Sequence, residues 1–296
     1  MAEMTGTSAP LVQAESPLAP LRPARSGPRL RAARRRRQAA IRWVVVVLVL
    51  AFFVTPMVSM VDFTTRLLSG KRSGIAWRKV VDFGQLDPQA KDLLVDGLRT
   101  SLILAVLTVV IMVVLLVPTM TWVRLRLPGM TRTIEFICLL PLIIPAIVLV
   151  VGYYPIYRFI GQHFSTSSVW LALAYGVLVL PYAYRALDAG LSAIDVKTMS
   201  EAARSLGSSW AGVMWRIVVP NIATAIAGAA FLSVALVLGE FTVASLLSKN
   251  NLQTSLVLVS SADPRFATAM SLVVLLLAFL LLFVLTFVGN RRRARR

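Results

Sequence analysis

Residues Ser200–Pro220 read "SEAARSLGSSWAGVMWRIVVP". They are half-polar in a chain of 296 residues that is 57% hydrophobic and only 15% charged. Thr198 stands three residues before Glu201, the T-x-x-E spacing of a capping box, in which a hydroxyl and a carboxylate satisfy two orphan amides at a helix start. Ala202 and Ala203 are strong helix formers. Gly207 can take the left-handed conformation that ends a helix, and Ser208 or Ser209 can cap a second one. In that second helix Trp210, Val213, Met214 and Ile217 fall at i, i+3, i+4 and i+7 and make one apolar face. Pro220 marks entry to the next segment. The stretch therefore predicts two short helices joined by a sharp turn. The apolar stripe has three possible homes: under the protein's own helices, in the lipid headgroup layer, or in a groove on a soluble partner.

The flanking sequence sets the context. A soluble domain carries about a quarter charged residues, well above this chain. Six apolar runs approach or reach the roughly 20 residues needed to cross a bilayer: Trp43–Val61, Leu98–Met120, Ile134–Tyr157, Val169–Leu187, Ile222–Leu247 and Ala267–Val288. The expectation is an all-α polytopic membrane protein with six transmembrane helices. Residues 1–40 read as a disordered basic arm, 41–290 as the membrane domain with the hairpin at 195–220, and 291–296 as a basic tail. The first run is too long for the apolar core of a cleaved signal peptide and lacks a small-residue cleavage site, so it reads as a retained anchor. Within the third run Pro141 and Pro145 remove backbone donors and predict a bend. That bend serves either packing or a pathway lined by Pro145 and Gly152.

The formal charge of +18 is local. Nine arginines lie between Arg22 and Arg42 and five in the last six residues, so 14 of the 31 basic residues flank spans. Such flanks fix topology and touch anionic lipid; no nucleic-acid partner is expected. With both termini in the cytoplasm, inside segments hold 21 of the 31 basic residues, which also places the hairpin inside. The single cysteine, Cys138, reads as a small buried hydrophobe. The single histidine, His163, has no partner ligands, so no metal site is expected.

The hairpin letters resemble the signature of the permease subunits of binding-protein-dependent ABC importers of type I (MetI-like) architecture. That pattern is Glu-Ala-Ala, three residues, Gly, nine residues, Ile, one residue, Leu-Pro. Glu201, Ala202, Ala203, Gly207, Ile217 and Pro220 match, and Val219 stands where Leu is usual. "LPYAYRALDAGLSAID" (Leu180–Asp195) and "LLPLIIPAIVLVVGYY" (Leu139–Tyr154) are similar to the fourth and third spans of the same family, so the resemblance covers most of 98–290. It implies a hairpin that couples the spans to a cytoplasmic ATP-binding subunit, with Glu201 holding the helix start or meeting the ATPase and Gly207 permitting the turn. It also implies a second permease, identical or homologous, and an extracytoplasmic substrate-binding protein. The chain has no G-x-x-x-x-G-K-[ST] loop. No cofactor or catalytic residue is expected in it, and ATP and Mg²⁺ would sit on the partner.

"LGEFTVASLL" (Leu238–Leu247) resembles permeases of the spermidine/putrescine-like branch and its neighbours for iron, thiamine, molybdate, sulfate or phosphonates. Glu240, an acid inside an apolar run, marks either a pathway residue suited to a polyamine or a solvated or paired end residue. Asp62 and Asp263, near outer span ends, carry the same two readings. An ATP-independent carrier would show matching broken helices in two halves, and an intramembrane hydrolase would need a nucleophile–base pair; the sequence offers neither pattern.

Overall fold

The computed structural model describes residues 28–67 and 70–293. Most of the expected N-terminal arm, residues 1–27, and the last three residues of the tail lie outside them. Of the described residues 86% are helical, and among them the only β pairing is an isolated bridge between Arg66 and Arg72. The all-α expectation holds. The chain divides into two units, 1–56 and 57–296.

The described part of the first unit lies in one helix, α1 (Pro28–Thr65), which continues into the second. Its apolar side chains from Ile41 to Val54 are exposed, as on a helix whose solvent is lipid. Residues 28–40, the end of the expected arm, fall within the α1 range. Their Ala, Arg, Leu and Gln are strong helix formers, so a helix nucleated in the apolar run extends through them at little cost.

The second unit contains α2 (Ile75–Val81), α3 (Pro88–Arg126), α4 (Thr131–Leu139), α5 (Ala146–His163), α6 (Leu171–Ser192), α7 (Val196–Ser205), α8 (Trp210–Val213), α9 (Val219–Asn221), α10 (Ala223–Gly239), α11 (Thr242–Leu246), α12 (Leu252–Ala262) and α13 (Pro264–Arg293). Its centre is the mutual packing of α3, α6 and α10. Between apolar helices in lipid, close van der Waals contact replaces the hydrophobic drive, and small residues permit it. The sequence of α10, "ATAIAGAAFLSVALVLG", supplies them. Leu104, Tyr175, Leu187, Leu191 and Val237 are buried in this core. A smaller cluster of Leu94, Leu252, Leu256 and Phe266 ties α3 to α12 and α13.

Among the described residues three helices are long and apolar enough to cross a membrane: Arg37–Thr65, Pro88–Arg126 and Ser168–Ser192. The number rises to five if each of two bent pairs is one span. In the first pair, Pro128–Leu142 meets Ala146–His163 at 99°. Pro145 opens α5 in an extended conformation, φ −57° and ψ 139°, so the proline bend is a full break. The second pair, Trp210–Asn221 with Ala223–Gly239, is bent by 76°. The fifth apolar run, read as continuous to Leu247, also breaks at Glu240, which is extended at the end of α10. The sixth run falls in α13, whose described apolar stretch is Pro264–Leu280.

Candidate functional site

The hairpin stands between α6 and α10. Asp195 caps α7: its carboxylate accepts the Thr198 amide (3.1 Å) and the Thr198 hydroxyl (2.7 Å). These two bonds hold the Asp195 carboxyl below the usual carboxylate range. The expected Thr198–Glu201 box is therefore replaced. Thr198 is the third residue of the helix and not its cap, because Asp195 offers two charged acceptor oxygens three residues earlier and starts the helix there. Glu201 lies mid-helix and exposed, beside exposed Ala202, while Ala203 is buried against the bundle.

The turn is as the glycine predicted. Gly207 has φ +86°, the Gly207 amide donates to the Arg204 carbonyl (2.9 Å) and the Ser208 amide to the Ala203 carbonyl (3.0 Å). This pair of bonds is a Schellman closure around a left-handed residue. A Cβ on Gly207 would meet nothing within 4 Å, so the backbone angle, and not space, demands glycine. Ser209 then caps α8 through the Gly212 amide (3.2 Å).

The second helix is less regular than its periodicity implied. One α-turn is followed by a π-helical stretch, Met214–Val218, in which the Val219 amide reaches back to the Met214 carbonyl. Pro220 is the cause: without an N–H it cannot bond the Arg216 carbonyl, and its ring crowds that turn. Val213 and Val218 are buried, with Met214 and Ile217 packed partly against the core. The stripe thus rests largely under the protein's own helices. Trp210, at its edge, lies beneath the guanidinium groups of Arg126 (5.0 Å) and Arg204 (4.7 Å).

The outer face of the hairpin carries two residues the periodicity did not single out. Leu206 is 88% exposed and Trp215 66% exposed, and both line one shallow hollow of about 580 Å³ together with Gly207 and Ala211. Arg124 fastens the hairpin's root. From the last turn of α3 it reaches Asp188 Oδ1 (2.6 Å), the Asp188 carbonyl (3.1 Å) and Ser192 Oγ (2.7 Å) in the final turns of α6.

A Glu-Ala-Ala helix, a left-handed glycine and a second helix between two packed spans place the chain among known proteins. Residues 101–296 match the family described as binding-protein-dependent transport system inner membrane component. The chain belongs to that family. It is thus a multi-pass inner-membrane permease component of ABC importers, a family that works with an ABC ATPase and a substrate-binding protein. The curated proteins contain no match to the chain.

The permease's expected pathway residues lie at the start and in the body of α5 and at the α10–α11 break. Pro145 and Gly152 are exposed along the broken α4–α5 pair. Glu240 is half-buried, and its carboxylate accepts the amides of Val243 (2.9 Å) and Ala244 (3.4 Å). It caps the helix that restarts after the break in the fifth run. Neither Asp62 nor Asp263 stands free: Asp62 pairs with Arg66 (3.5 Å) and Arg72 (3.4 Å), and Asp263 with Lys79 (2.6 Å). Burial raises the Asp263 carboxyl, but the Lys79 bond and the Phe266 amide outweigh it and leave the carboxyl below its ordinary range.

Around Glu240 lies a buried polar junction that sequence reading missed. Asn251 Nδ2 donates to the Glu240 carbonyl (2.6 Å) and to Tyr175 Oη (3.0 Å), while Asn251 Oδ1 accepts the Thr254 amide (2.8 Å). The Leu252 amide donates to Ser101 Oγ (2.8 Å). Asn250 binds Asp96 (2.8 Å) and accepts from Ser255 (2.9 Å). Asn-x-x-Thr at 251–254 was a legible cap signal; its partners on α3 and α6 were not.

Proposed function

We propose that this permease is one membrane half of an ATP-driven importer with six crossings and both termini in the cytoplasm, and that the hairpin at 195–220 seats on a separate ATPase subunit that carries ATP and Mg²⁺. One observation carries the reading: the hairpin's inner face is used up by the bundle, yet Leu206 and Trp215 remain bare on its outer face. An exposed Leu and Trp on a rigid, capped turn fit an apolar groove on a partner. In this reading Gly207 shapes the turn, Ala203 and Ile217 seat the hairpin beneath the spans, and Pro220 sets the π-turn. Glu201 and Ala202 lie on the exposed side of α7, where the partner would meet them.

The importer needs a second hairpin for the second ATPase subunit, hence a second permease, identical or homologous. Closure of the ATPase dimer on ATP would draw the two hairpins together and open the spans to a loaded binding protein, each ligand shifting the equilibrium by its differential affinity. The Leu238–Leu247 stretch supports a polyamine such as spermidine or putrescine as cargo. Glu240 remains compatible with that role, because a carboxylate has about four acceptor sites, of which the amides of 243 and 244 and the Tyr175 hydroxyl take three.

The test is reconstitution with the cognate ATPase, binding protein and second permease. ATP-dependent uptake of labelled spermidine, with the ATPase co-purifying on the permease, is the expected result. Uptake by the chain alone without ATP would assign it to the ATP-independent carriers. ATP-dependent uptake of an oxyanion, iron or thiamine with no spermidine uptake would keep the machinery and replace the cargo.

A further inference from the structure

The hairpin end holds a groove that the coupling role does not use. It has a volume of about 760 Å³ and runs along the last turns of α3 to the hairpin, lined by Pro118, Trp122, Leu125, Arg126, Trp210 and Met214. Its walls are mostly apolar, with Thr119 and Thr121 among them, and its mouth is cationic. The guanidinium carbons of Arg126 and Arg204 lie 5.0 Å and 4.7 Å from the Trp210 ring centroid, a cation–π contact that leaves N–H donors available to an anion. Among the described residues neither arginine has a carboxylate within salt-bridge distance. Trp122 lies one helical turn deeper than Arg126 on α3 and is 54% exposed.

This order of groups matches one ligand. Two uncompensated guanidinium groups call for a phosphate, and an apolar trough leading inward from them calls for a hydrocarbon chain. A tryptophan pair at the junction sits where aromatic rings anchor at the membrane–water boundary. Basic pockets between spans on the cytoplasmic side recognise anionic headgroups. A soluble phosphate would leave the trough empty, and a zwitterionic lipid would bring a choline against the arginines. We propose that this groove is a binding site for an anionic phospholipid of the cytoplasmic leaflet, its phosphodiester on Arg126 and Arg204 and an acyl chain along Trp122 and Met214. The leaflet, but not the groove, rests on the cytoplasmic placement of the hairpin.

The site is tested on the full-length permease in nanodiscs, using phosphatidylglycerol or phosphatidylcholine probes that carry a photoreactive group on one acyl chain, with labelled peptides mapped by mass spectrometry. The expected result is labelling of 118–126 and 210–214 about tenfold stronger with the anionic probe. It should fall to the phosphatidylcholine level in Arg126→Gln/Arg204→Gln and be largely kept in Arg126→Lys/Arg204→Lys. Equal labelling of the wild-type chain by the two probes would overturn the proposal and needs no variant. So would anionic labelling unchanged by the glutamine pair, or efficient disulfide formation between two Trp122→Cys chains, which would show a second permease in the groove. None of these readouts depends on ATP-driven uptake, so failure here is separable from failure of the coupling assignment.

Discussion

The two ends of the helical core are built on opposite plans. At the α10–α12 end, buried Asn251 and Ser101 knit α3, α6, the end of α10 and α12 together through hydrogen bonds largely shielded from water. At the hairpin end an apolar inner face packs on the core, but the polar connections lie nearer the surface: one arginine at the root, two cap bonds at Asp195, a glycine turn, and an apolar tip left bare. Buried hydrogen bonds are costly to break because each lost partner leaves an unsatisfied group. Half-exposed ion pairs are screened and can re-form elsewhere. The contrast is between a clamp of buried polar bonds at one end and a handle bonded near the surface at the other, and under the proposed coupling role the handle is the end that would move.

The contrast breaks most readily at the clamp. A Cβ on Gly97 would fall 2.3 Å from Ser255 Oγ and 3.0 Å from the Asn251 carbonyl. Gly97→Leu should therefore cost more than about 3 kcal/mol and abolish a monodisperse peak in detergent size-exclusion chromatography, with Gly97→Ala/Ser255→Gly partly restored. A well-behaved Gly97→Leu protein would mean that this end is loosely packed.

At the handle, Gly207→Asp should lose ATP-driven uptake while membrane insertion and melting temperature stay near wild type. Gly207→Asn, which tolerates the left-handed region, should keep most uptake. Full uptake by the Asp variant would remove the hairpin from the coupling path. Arg124→Gln should act in between: ATP hydrolysis persists, but uptake per ATP falls severalfold because the root of α7 is no longer tied to α3, and Arg124→Asp/Asp188→Arg should recover part of it. Equal losses of hydrolysis and uptake would make Arg124 merely structural.

The smallest effect concerns pH. The Asp195 and Asp263 carboxyls are held below their ordinary range in the folded chain. Their contribution is therefore present above that range and is lost as pH falls through the lowered values. Melting temperature should not change between pH 5 and 8 on their account. Below pH 4 it should fall less steeply in Asp263→Asn, a difference that differential scanning in detergent would register.

Much of the handle was legible in the sequence. Gly207, Ser209 and the apolar stripe act over a few residues, so spacing alone exposes them. The misread cap shows the limit of spacing: Asp195-x-x-Thr198 and Thr198-x-x-Glu201 are overlapping signals of the same form, and only the charge of Asp195 decides between them. The clamp was hidden for a different reason. Asn251 meets Tyr175 and Glu240, and the adjacent Leu252 amide meets Ser101; no periodic pattern joins residues so far apart. The break at Glu240 had a signal, a charged residue after glycine in an apolar run, but that signal equally fits a pathway acid until the amides of 243 and 244 are seen to claim its carboxylate.

The central claim, that the bare tip of the hairpin is where the ATPase takes hold, is tested most directly by crosslinking from Leu206→Cys in membranes containing the assembled importer. The account predicts a crosslink to the ATPase subunit whose yield changes between nucleotide-free and ATP-trapped states, and none from Leu102→Cys, which is exposed on α3 toward the clamped end. A Leu206→Cys chain labelled by impermeant thiol reagent from the outside of intact cells, or one that never crosslinks to the ATPase in any state, would contradict it.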